Sequence, residues 1–547
     1  MNGPEHIAPI ASAAASSPSP PLTLSVLGLN DLHGRLRALP AFAGYLDNVR
    51  RARAADGGGV AFVDAGDMFQ GTLESNLTEG ASVVTAYDAL GVTLAALGNH
   101  EFDFGPAGPS SAGDPQGAIR ARILQAHFPI LSANLRERDG ARPSWVESSR
   151  LVSIAGVRVG FVGLLTKETP SIVMSAWFQG LDVADLAPTL VTEASELRKQ
   201  GAELVIAVAH AGADCKRFDD PHDLTSCGGN REIFDVAAAL PPKLVDAIFA
   251  GHTHAGVAQI VNGIPIVEAY ARGRAFSRID FALDRRTHAL LSSKLFPPHE
   301  LCPKLLEDGS CVLSDYEGAP VRASASVEQA IAPALALADE RKNQPLGVTL
   351  SDAIHGSGKQ ESALGNLFAD LLREAVPGAD VALLNGGTLR ADFNAGPLKY
   401  GDVFEAMPFD NQVAQIRLTG AELKRLLLAH LTSDAHALIS LSGIELVLSC
   451  DKTGPKLSLL RHGKHAIADQ DSLLLATSDY LALGGDDLFR PLELPRERIQ
   501  IDSNLLFRDA LLAGLKKRQR LAGSDHALLD PAHPRLKLPS ARPVRCP

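Results

Sequence analysis

The sequence predicts an α/β protein, with one layered α/β domain followed by a second α/β domain. Short apolar runs recur from residue 22 to about residue 300, and helix-length segments separate several of them. A stretch containing prolines and cysteines, at 296–311, then interrupts this alternation. A new series of helical and strand-like segments begins near residue 346. These three observations together predict two α/β domains in series.

The individual elements follow from the spacing of the apolar residues, because short continuous runs predict buried strands and helical spacing predicts helices. The predicted strands of the first half are 22–29, 60–66, 92–98, 128–134, 157–165, 202–210 and 247–254. The predicted helices of this half are 41–55 and 186–201. In the second half the predicted elements are helices at 361–376 and 419–433 and a strand with a glycine turn at 379–387.

The domain boundaries are predicted from changes in composition. Residues 1–21 are rich in Ala, Ser and Pro and are expected to form a flexible leader. Residues 22–325 are expected to form the first domain and 346–547 the second. Between them, 326–345 has apolar residues at helical spacing and a charged end, which is typical of a linking helix.

Composition excludes some functions. The chain has 547 residues, 46% of them hydrophobic, and a formal net charge of -11, which argues against a surface that binds nucleic-acid polymers. A small anionic substrate is still compatible with this charge, because a metal ion reverses the potential inside a cleft. No run of 18 apolar residues predicts a transmembrane helix, and no protein partner is indicated.

The six cysteines bear on the compartment. Cys215 and Cys227 flank one polar loop, Cys302 and Cys311 flank another, and Cys450 and Cys546 remain to fix the C-terminal tail. Disulfides are the favoured interpretation, with free thiols in a cytosolic enzyme as the alternative. Disulfides indicate an oxidising compartment, periplasmic or extracellular, although the leader has no basic region typical of a signal peptide.

Polar residues cluster at the ends of the predicted strands of the first half, where α/β sheets bind ligands. The candidate metal ligands in these clusters are Asp31, His33, Asp67, Asn99, His210, His252 and His254. Carboxylate and amide oxygens mixed with imidazole nitrogens suit zinc, manganese or iron rather than calcium. The set is too large for one tetrahedral ion and suits two divalent ions that share a carboxylate.

The stretch "LGNHEFDFG" at 97–105 combines several of these roles. Asn99 is a candidate ligand, and His100 directly after it would face the substrate. His100 would stabilise charge on a phosphate or protonate the leaving oxygen, with Asp103 orienting its ring. Glu101 is expected only to hydrogen-bond the loop.

The order of motifs DxH, GDxxxG, GNHExD, a lone His after a strand and GHxH resembles the calcineurin-like metallophosphoesterase superfamily. With its second half included, the chain resembles the bacterial 5'-nucleotidase/UDP-sugar hydrolase family. The resemblance implies an αββα sandwich followed by a substrate-binding domain. It also implies that Asp67 bridges the two ions and that His100 and Asp103 form the catalytic pair. One ion would be bound by Asp31, His33, Asp67 and His254, and the other by Asp67, Asn99, His210 and His252.

The second half contains an arginine after a glycine turn and aromatic residues near strand ends, each of which has an ordinary structural explanation when taken alone. Arginine is also suited to phosphate, and paired aromatic rings to a nucleobase. The resemblance implies that these residues bind the substrate. They are Asn385, Arg390, Phe409, Asn411, Gly443, Tyr480 and Asp486.

The chain departs from the family pattern at some of these positions. Tyr480 stands where Phe is common, and Thr388 replaces a glycine. Well-studied members carry a further arginine close to the position of Gly358, and here Lys359 or His355 would have to supply the charge. His254 stands where some members have Gln, which also binds metal.

The predicted function is hydrolysis of nucleoside 5'-monophosphates to nucleoside and phosphate, by attack of a hydroxide held between the two ions. Related alternatives are a UDP-sugar or nucleotide pyrophosphatase, a 2',3'-cyclic-nucleotide phosphodiesterase and a thiosulfate-ester hydrolase. An alternative of a different class is a nucleotide-binding module without catalytic activity, which the complete ligand set argues against.

Overall fold

The computed structural model describes residues 20–108, 113–174, 176–305, 311–409, 411–433, 436–452, 454–461 and 465–546. Residues 1–19 of the predicted leader therefore lie outside the described residues.

The first half contains each strand and helix that the apolar spacing predicts. Its strands are β1 (Leu22–Leu29), β2 (Gly59–Asp64), β3 (Leu94–Ala96), β4 (Ile130–Leu131), β5 (Leu135–Glu137), β6 (Ser149–Ile154), β7 (Val157–Leu165), β8 (Leu181–Val183), β9 (Leu204–His210), β10 (Ala247–Ala250), β11 (Gly256–Val261), β12 (Ile264–Ala269), β13 (Ala275–Leu283), β14 (Leu290–Glu300), β15 (Lys304–Leu305) and β16 (Cys311–Val312). Its helices are α1 (Leu39–Asp56), α2 (Leu73–Asn76), α3 (Ala81–Leu90), α4 (Gly117–Gln125), α5 (Thr169–Ile172), α6 (Leu186–Lys199) and α7 (Glu232–Ala238).

The larger sheets of this half have the strand orders β14-β13-β1-β2-β3-β4 and β11-β12-β10-β9-β7-β6. Strands β1 to β4 are parallel to one another, and so are β7, β9, β10 and β12. Parallel strands place their carboxyl ends at one edge of the sheet, which is where the predicted ligands lie.

The two sheets pack face to face. Val26 of β1, Phe161 of β7 and Phe249 of β10 belong to one buried cluster between them. Gly28 allows this close approach, because a Cβ there would lie 2.5 Å from the Phe249 ring. Helices α1, α3 and α4 cover the outer face of the first sheet, and α6 and α7 cover that of the second. The predicted αββα sandwich is confirmed.

The second half is also an α/β structure, as predicted. Its strands are β17 (Pro345–Leu350), β18 (Val381–Asn385), β19 (Gly396–Lys399), β20 (Gln412–Thr419), β21 (Ile439–Ser442), β22 (Ile444–Asp451), β23 (Gly454–Arg461), β24 (His465–Ala466), β25 (Ser472–Ser478), β26 (Ile499–Leu506), β27 (Arg520–Leu521) and β28 (Leu536–Lys537). The helices from the linker onwards are α8 (Ala325–Lys342), α9 (Ala363–Ala375), α10 (Tyr400–Ala406), α11 (Gly420–Leu431), α12 (Asp479–Ala482) and α13 (Phe507–Lys516).

A central sheet with the order β21-β18-β25-β20-β26 organises this half. Helices α9 and α13 pack on one of its faces, and α11 packs on the other. The smaller sheets have the orders β19-β17-β27 and β24-β23-β22-β28.

Helix α8 connects the halves and packs against both of them. Val327 and Ile331 in its first turns belong to the hydrophobic core of the first half, whereas Ala338 belongs to a core of the second half. Across the same junction, Lys342 lies 3.4 Å from the carboxylate of Glu74 on α2. The connection is thus a helix that is buried at intervals along its length.

The predicted disulfides are confirmed. All six cysteines lie among the described residues, and they pair as Cys215–Cys227, Cys302–Cys311 and Cys450–Cys546. The last of these fixes the C-terminal tail to β22. Among the described helices, none combines the length and the apolar composition needed to cross a bilayer.

Candidate metal centre and substrate cleft

The predicted metal ligands converge at one edge of the two sheets of the first half. Asp31 and His33 follow β1, Asp67 follows β2, and Asn99 follows β3. On the second sheet His210 is the last residue of β9, and two further histidines follow β10. Residues up to 223 positions apart in the chain (His254 and Asp31) are thereby brought together.

The first group consists of Asp31, His33, Asp67 and His254, which each offer a ligand atom within 4.8 Å of the others. The Nε2 atoms of His33 and His254 lie 3.0 Å apart. The buried Oδ1 atom of Asp31 accepts no hydrogen bond from the described residues, although His254 Nε2 is 3.3 Å away. An orphaned carboxylate oxygen facing imidazole nitrogens fits a divalent cation.

The second group consists of Asp67, His210 and His252, again with ligand atoms within 4.8 Å of one another. His210 Nε2 lies 3.2 Å from Asp67 Oδ2 and 3.0 Å from the amide oxygen of Asn99. Asp67 is common to both groups, as a bridging carboxylate requires.

Backbone hydrogen bonds orient two of the imidazole rings. His33 Nδ1 donates to the carbonyl of Gln70 at 2.7 Å, and His210 Nδ1 donates to the carbonyl of Ala65 at 2.9 Å. Each bond leaves Nε2 facing the centre, which is how proteins present a histidine ligand to a metal. Burial lowers the pKa of His33 to about 4, so its ring is neutral at physiological pH, the form that binds metal.

The carboxylates of the centre also favour positively charged groups beside them. Burial alone would lower the pKa of His210, but the carboxylates of Asp67, Asp31 and Glu101 together outweigh burial and raise that pKa to about 10. A proton is thus favoured on a ring nitrogen that faces other ligand atoms, and a bound cation would replace it. The residues present fit two divalent ions.

Several of the candidate ligands have a left-handed backbone conformation, which residues other than glycine rarely adopt. Positive φ angles occur at Asp31 (50°), His33 (49°), Asp67 (57°), His252 (82°) and His254 (57°). Each such angle costs on the order of 1 kcal/mol or more and persists only where the surrounding structure enforces it. Their concentration at one edge is typical of a functional site.

Three residues that the sequence analysis did not select contact the candidate ligands or the threonine between two of them. Asn30 donates to Asp31 Oδ2 at 2.7 Å, and Glu268 accepts a hydrogen bond from Thr253, between the last two histidines. The Oε2 atom of the exposed Glu168 lies 3.3 Å from the Nε2 atom of His252. Asn30 directly precedes the DxH motif. Glu168 and Glu268 lie in no motif, because their contacts are with residues that are distant in the sequence.

Glu101 has the loop-fixing role expected of it. Its Oε2 atom accepts the backbone N–H groups of Asp67 and Gly98, and its Oε1 atom accepts those of Met68 and Phe69. One buried carboxylate thereby fixes the loop after β2 to the loop after β3.

Replacement of Glu101 by glutamine is expected to destabilise the fold by about 1–3 kcal/mol, because an amide NH2 would face backbone donors where a carboxylate oxygen now accepts. The measurement is the urea unfolding midpoint of the variant. Glu340→Gln, on the exposed side of α8, is the matched control and should leave the midpoint unchanged. Equal midpoints for both variants would contradict the assigned role.

The predicted catalytic pair lies beside the centre. His100 Nδ1 is 2.5 Å from Asp103 Oδ2, and His100 Nε2 is 4.0 Å from Asp67 Oδ2. Burial alone would lower the pKa of His100, but the carboxylates of Asp103 and Asp67 outweigh burial and raise that pKa to about 10. These two carboxylates therefore favour the protonated ring, which is the form able to donate a proton.

The pair opens into a cavity of about 310 Å³ between the two halves. From the first half Gln70, Ile172 and Met174 line it together with His100 and Asp103. Gln70 also bridges the halves, since its Nε2 atom donates to the carbonyl of Pro408 at 3.3 Å.

The opposite wall comes from the second half and contains all but one of the predicted substrate residues. These are Asn385, Arg390, Phe409, Asn411, Tyr480 and Asp486. Asp486 accepts hydrogen bonds from Asn385 Nδ2 at 2.7 Å and from the hydroxyl of Tyr480 at 2.9 Å. The Arg390 guanidinium carbon lies 5.2 Å from the centre of the Phe409 ring. This wall also includes Thr388, Ala437 and His436. Ala437 and His436 lie in no motif that the sequence analysis identified.

Gly443 does not line the cleft. It lies between β21 and β22 with φ +86°, and a Cβ there would lie 2.0 Å from the carbonyl oxygen of Asp380. The positive φ angle and the nearby carbonyl account for this glycine, and we do not propose it as a substrate residue.

Two family models match the chain. The model described as calcineurin-like phosphoesterase matches residues 24–256, and the model described as 5'-nucleotidase, C-terminal domain, matches residues 345–492.

Relatives match over most of the chain. A 5'-nucleotidase of Vibrio cholerae is 26% identical over 504 residues, covering 85% of each chain. Endonuclease YhcR of Bacillus subtilis is 25% identical over 502 residues, and the match spans 88% of this chain but only 38% of that protein. The crystal structure of a 5'-nucleotidase precursor from Thermus thermophilus has a TM-score of 0.64 at 22% identity, over 91% of this chain and 97% of that one. This last likeness shows a shared fold.

Proposed function

This chain belongs to the metallophosphoesterases that carry a 5'-nucleotidase C-terminal domain, a family of metal-dependent hydrolases, and from that premise we propose that it hydrolyses nucleoside 5'-monophosphates to nucleoside and phosphate. The observation that supports this substrate class is the composition of the cavity. One wall holds an imidazole–carboxylate pair beside a metal-binding edge, and the other holds an arginine, two aromatic rings and a carboxylate. A nucleotide has a phosphate that suits the metal-binding edge and the arginine, and a base and ribose that suit the aromatic rings and the carboxylate.

The proposed ligands of one ion are Asp31, His33, Asp67 and His254, and those of the other are Asp67, Asn99, His210 and His252. Zinc, manganese or iron suits this mixture of oxygen and nitrogen donors. Two such ions, when bound, acidify water and neutralise the charge that develops on a phosphoryl group.

His100 is proposed to act as the general acid. Its Nδ1 atom faces Asp103, which leaves Nε2 to hold a proton toward the cleft. The cationic ring would stabilise charge on the phosphoryl oxygens, and Nε2 would protonate the departing ribose oxygen. Asp103 keeps the ring oriented and charged.

The second half is proposed to hold the nucleoside. Phe409 and Tyr480 offer aromatic faces for the base. Asp486 is held by hydrogen bonds from Asn385 and Tyr480, so its carboxylate is fixed and available to accept ribose hydroxyls. Arg390 supplies positive charge toward the phosphate, and Asn411 completes the set of proposed substrate residues.

The domain limits remain a proposal: 22–325 for the metal-binding domain, 326–345 for the linker helix and 346–547 for the substrate domain. We also propose a periplasmic or extracellular location, because a chain with all its cysteines in disulfides is typical of an oxidising compartment.

The test is product formation by the purified protein, supplied with Mn²⁺ or Zn²⁺ and followed by chromatography. The products measured are adenosine and phosphate from AMP, UMP and glucose 1-phosphate from UDP-glucose, and adenosine monophosphate from 2',3'-cyclic AMP. AMP is expected to have the highest kcat/KM. A higher value for UDP-glucose or the cyclic nucleotide would assign one of the related activities, and no hydrolysis of any 5'-monophosphate would overturn the proposal.

Phe409→Ala separates nucleoside recognition from the chemistry. Loss of base stacking, worth about 1–3 kcal/mol per base, should raise KM for AMP roughly 5- to 100-fold. The small substrate p-nitrophenyl phosphate serves as the internal control, because its hydrolysis by the same variant should be unchanged if the metal-binding half is intact.

A further inference from the structure

The histidines of the candidate metal centre do not all present the same ring nitrogen to it. His33 and His210 hold Nδ1 against backbone carbonyls, so that Nε2 faces the other ligand groups. In His252 the arrangement is different, because its Nε2 atom lies 3.3 Å from the Oε2 atom of Glu168. A carboxylate therefore contacts the nitrogen that the other two histidines direct to the centre.

The contact with Glu168 determines where the His252 ring carries its proton. An ionised carboxylate only accepts hydrogen bonds, so Nε2 must carry the proton when it bonds to Oε2 of Glu168. A neutral imidazole carries one N–H, which leaves the electron pair of Nδ1 free to bind a metal ion. His252 is thus prepared to use Nδ1 as its ligand atom.

The centre itself holds His252 on its other sides. The backbone N–H of His252 donates to Asp31 Oδ2 at 2.8 Å, and its ring meets that of His210 edge to face, with 5.0 Å between the ring centres. One nitrogen of His252 belongs to the ligand group that also contains Asp67 and His210, whereas Glu168 is not a member of that group. The carboxylate of Glu168 therefore contacts a candidate ligand without joining the ligand atoms.

The loop that follows β7 holds Glu168 in place. The backbone N–H of Glu168 donates to the Thr166 hydroxyl at 3.2 Å, and that hydroxyl donates to the carboxylate of Glu232 on α7 at 2.7 Å. Within the part of the chain that the structure describes, the Glu168 carboxylate pairs with no lysine or arginine, and the charged-group contact it makes is the one with His252. The position of this carboxylate is therefore not a by-product of another ion pair.

We propose that Glu168 is a positioning residue of the metal centre, which fixes the proton on His252 Nε2 and directs Nδ1 to the second ion. The second ion is the one assigned above to Asp67, Asn99, His210 and His252. The inference rests on the proposed function and deepens it, because it concerns how one of the proposed ligands binds. Carboxylates that bond to a ligating histidine orient its ring and make it a better electron donor, and their loss costs about 10- to 100-fold in metal affinity.

The experiment compares Glu168→Ala, Glu168→Gln and Asp185→Ala in the full-length protein. Each variant is equilibrated in Zn²⁺ buffers of decreasing free concentration, and the ions retained per chain are counted by mass spectrometry. In Glu168→Ala one ion should be lost at about 10- to 100-fold higher free Zn²⁺ than in the unsubstituted protein, with a smaller shift for the other ion. Glu168→Gln keeps an acceptor oxygen without the charge and should restore part of the loss. Asp185 is exposed and pairs with Lys167, directly before Glu168, so Asp185→Ala is the matched control and should retain both ions normally.

A double-mutant cycle with His252→Ala tests whether Glu168 acts through this ring. In the His252→Ala background, removal of Glu168 should cause no further shift in Zn²⁺ retention. A further shift equal to that of the single variant, or unchanged retention in both Glu168 variants, would overturn the inference.

The retention of Zn²⁺ is measured without turnover, so this inference and the proposed function can fail separately. The expected shifts in a protein that does not hydrolyse AMP would retain the role of Glu168 and reject the nucleotidase proposal. Unchanged retention in a protein that hydrolyses AMP would overturn the role of Glu168 and leave the nucleotidase proposal intact.

Discussion

Asp67→Ala is expected to lose both bound ions and to reduce kcat/KM at least about 10³-fold, since two-ion sites supply several kcal/mol of transition-state stabilisation. The carboxylate belongs to both ligand groups, so its removal affects both ions at once. Its Oδ2 atom also lies 3.2 Å from His210 and 3.9 Å from His33. Without it the centre would keep mainly imidazoles, with no shared anion to hold two cations together.

The measurement is metal content by mass spectrometry after dialysis, together with kcat/KM for AMP. Asp219→Ala, at an exposed position in a loop of the same half, is the matched control and should keep its metal content and its kcat/KM. A variant at Asp67 that retains two ions per chain and normal turnover would show that the two ligand groups do not form the proposed centre.

His100→Asn should reduce kcat by about 10²- to 10⁴-fold, the range attributed to positioned general acids, with metal content unchanged. The His100 ring faces Asp103 through Nδ1 and lies 4.0 Å from Asp67 through Nε2, beside the ligands rather than among them. Asparagine keeps a polar side chain but removes the titrating ring, so binding of metal and of nucleotide should persist.

The assay separates kcat from KM and is accompanied by metal analysis. His127→Asn is the control, because His127 also pairs with a carboxylate, at 2.9 Å from Asp88, but is exposed and distant from the cleft. Loss of metal in the His100 variant would make this residue a ligand, and unaltered kcat would remove it from the mechanism.

Much of the first half could be predicted because its signals are local. Strands that are covered on both faces consist of continuous apolar runs, and β1, β7 and β9 could therefore be predicted from the sequence. The exposed β14 was not, because most of its side chains contact water and no apolar pattern distinguishes it. The predicted strand at 128–134 is shorter in the structure, with only Ile130–Leu131 paired.

The substrate wall was predictable only in part. Motifs around Arg390, Phe409 and Tyr480 carried a signal, whereas His436 and Gln70 lie in no motif that pointed to the cleft. Gly443 was selected through the family resemblance but lies between β21 and β22, outside the cavity. A glycine required by a turn and a glycine required by a ligand have the same sequence signature.

The sequence by itself determined which chemical groups stand at each strand end, because strand and turn propensities act over a few neighbouring residues. It also determined which cysteines were available for pairing. Only the tertiary structure decided that Asp67 is shared by two ligand groups, that Glu168 faces His252, and that Gln70 donates to the carbonyl of Pro408. These relations join residues that are far apart in the chain, and their distances depend on how two sheets, a linking helix and a second domain pack together.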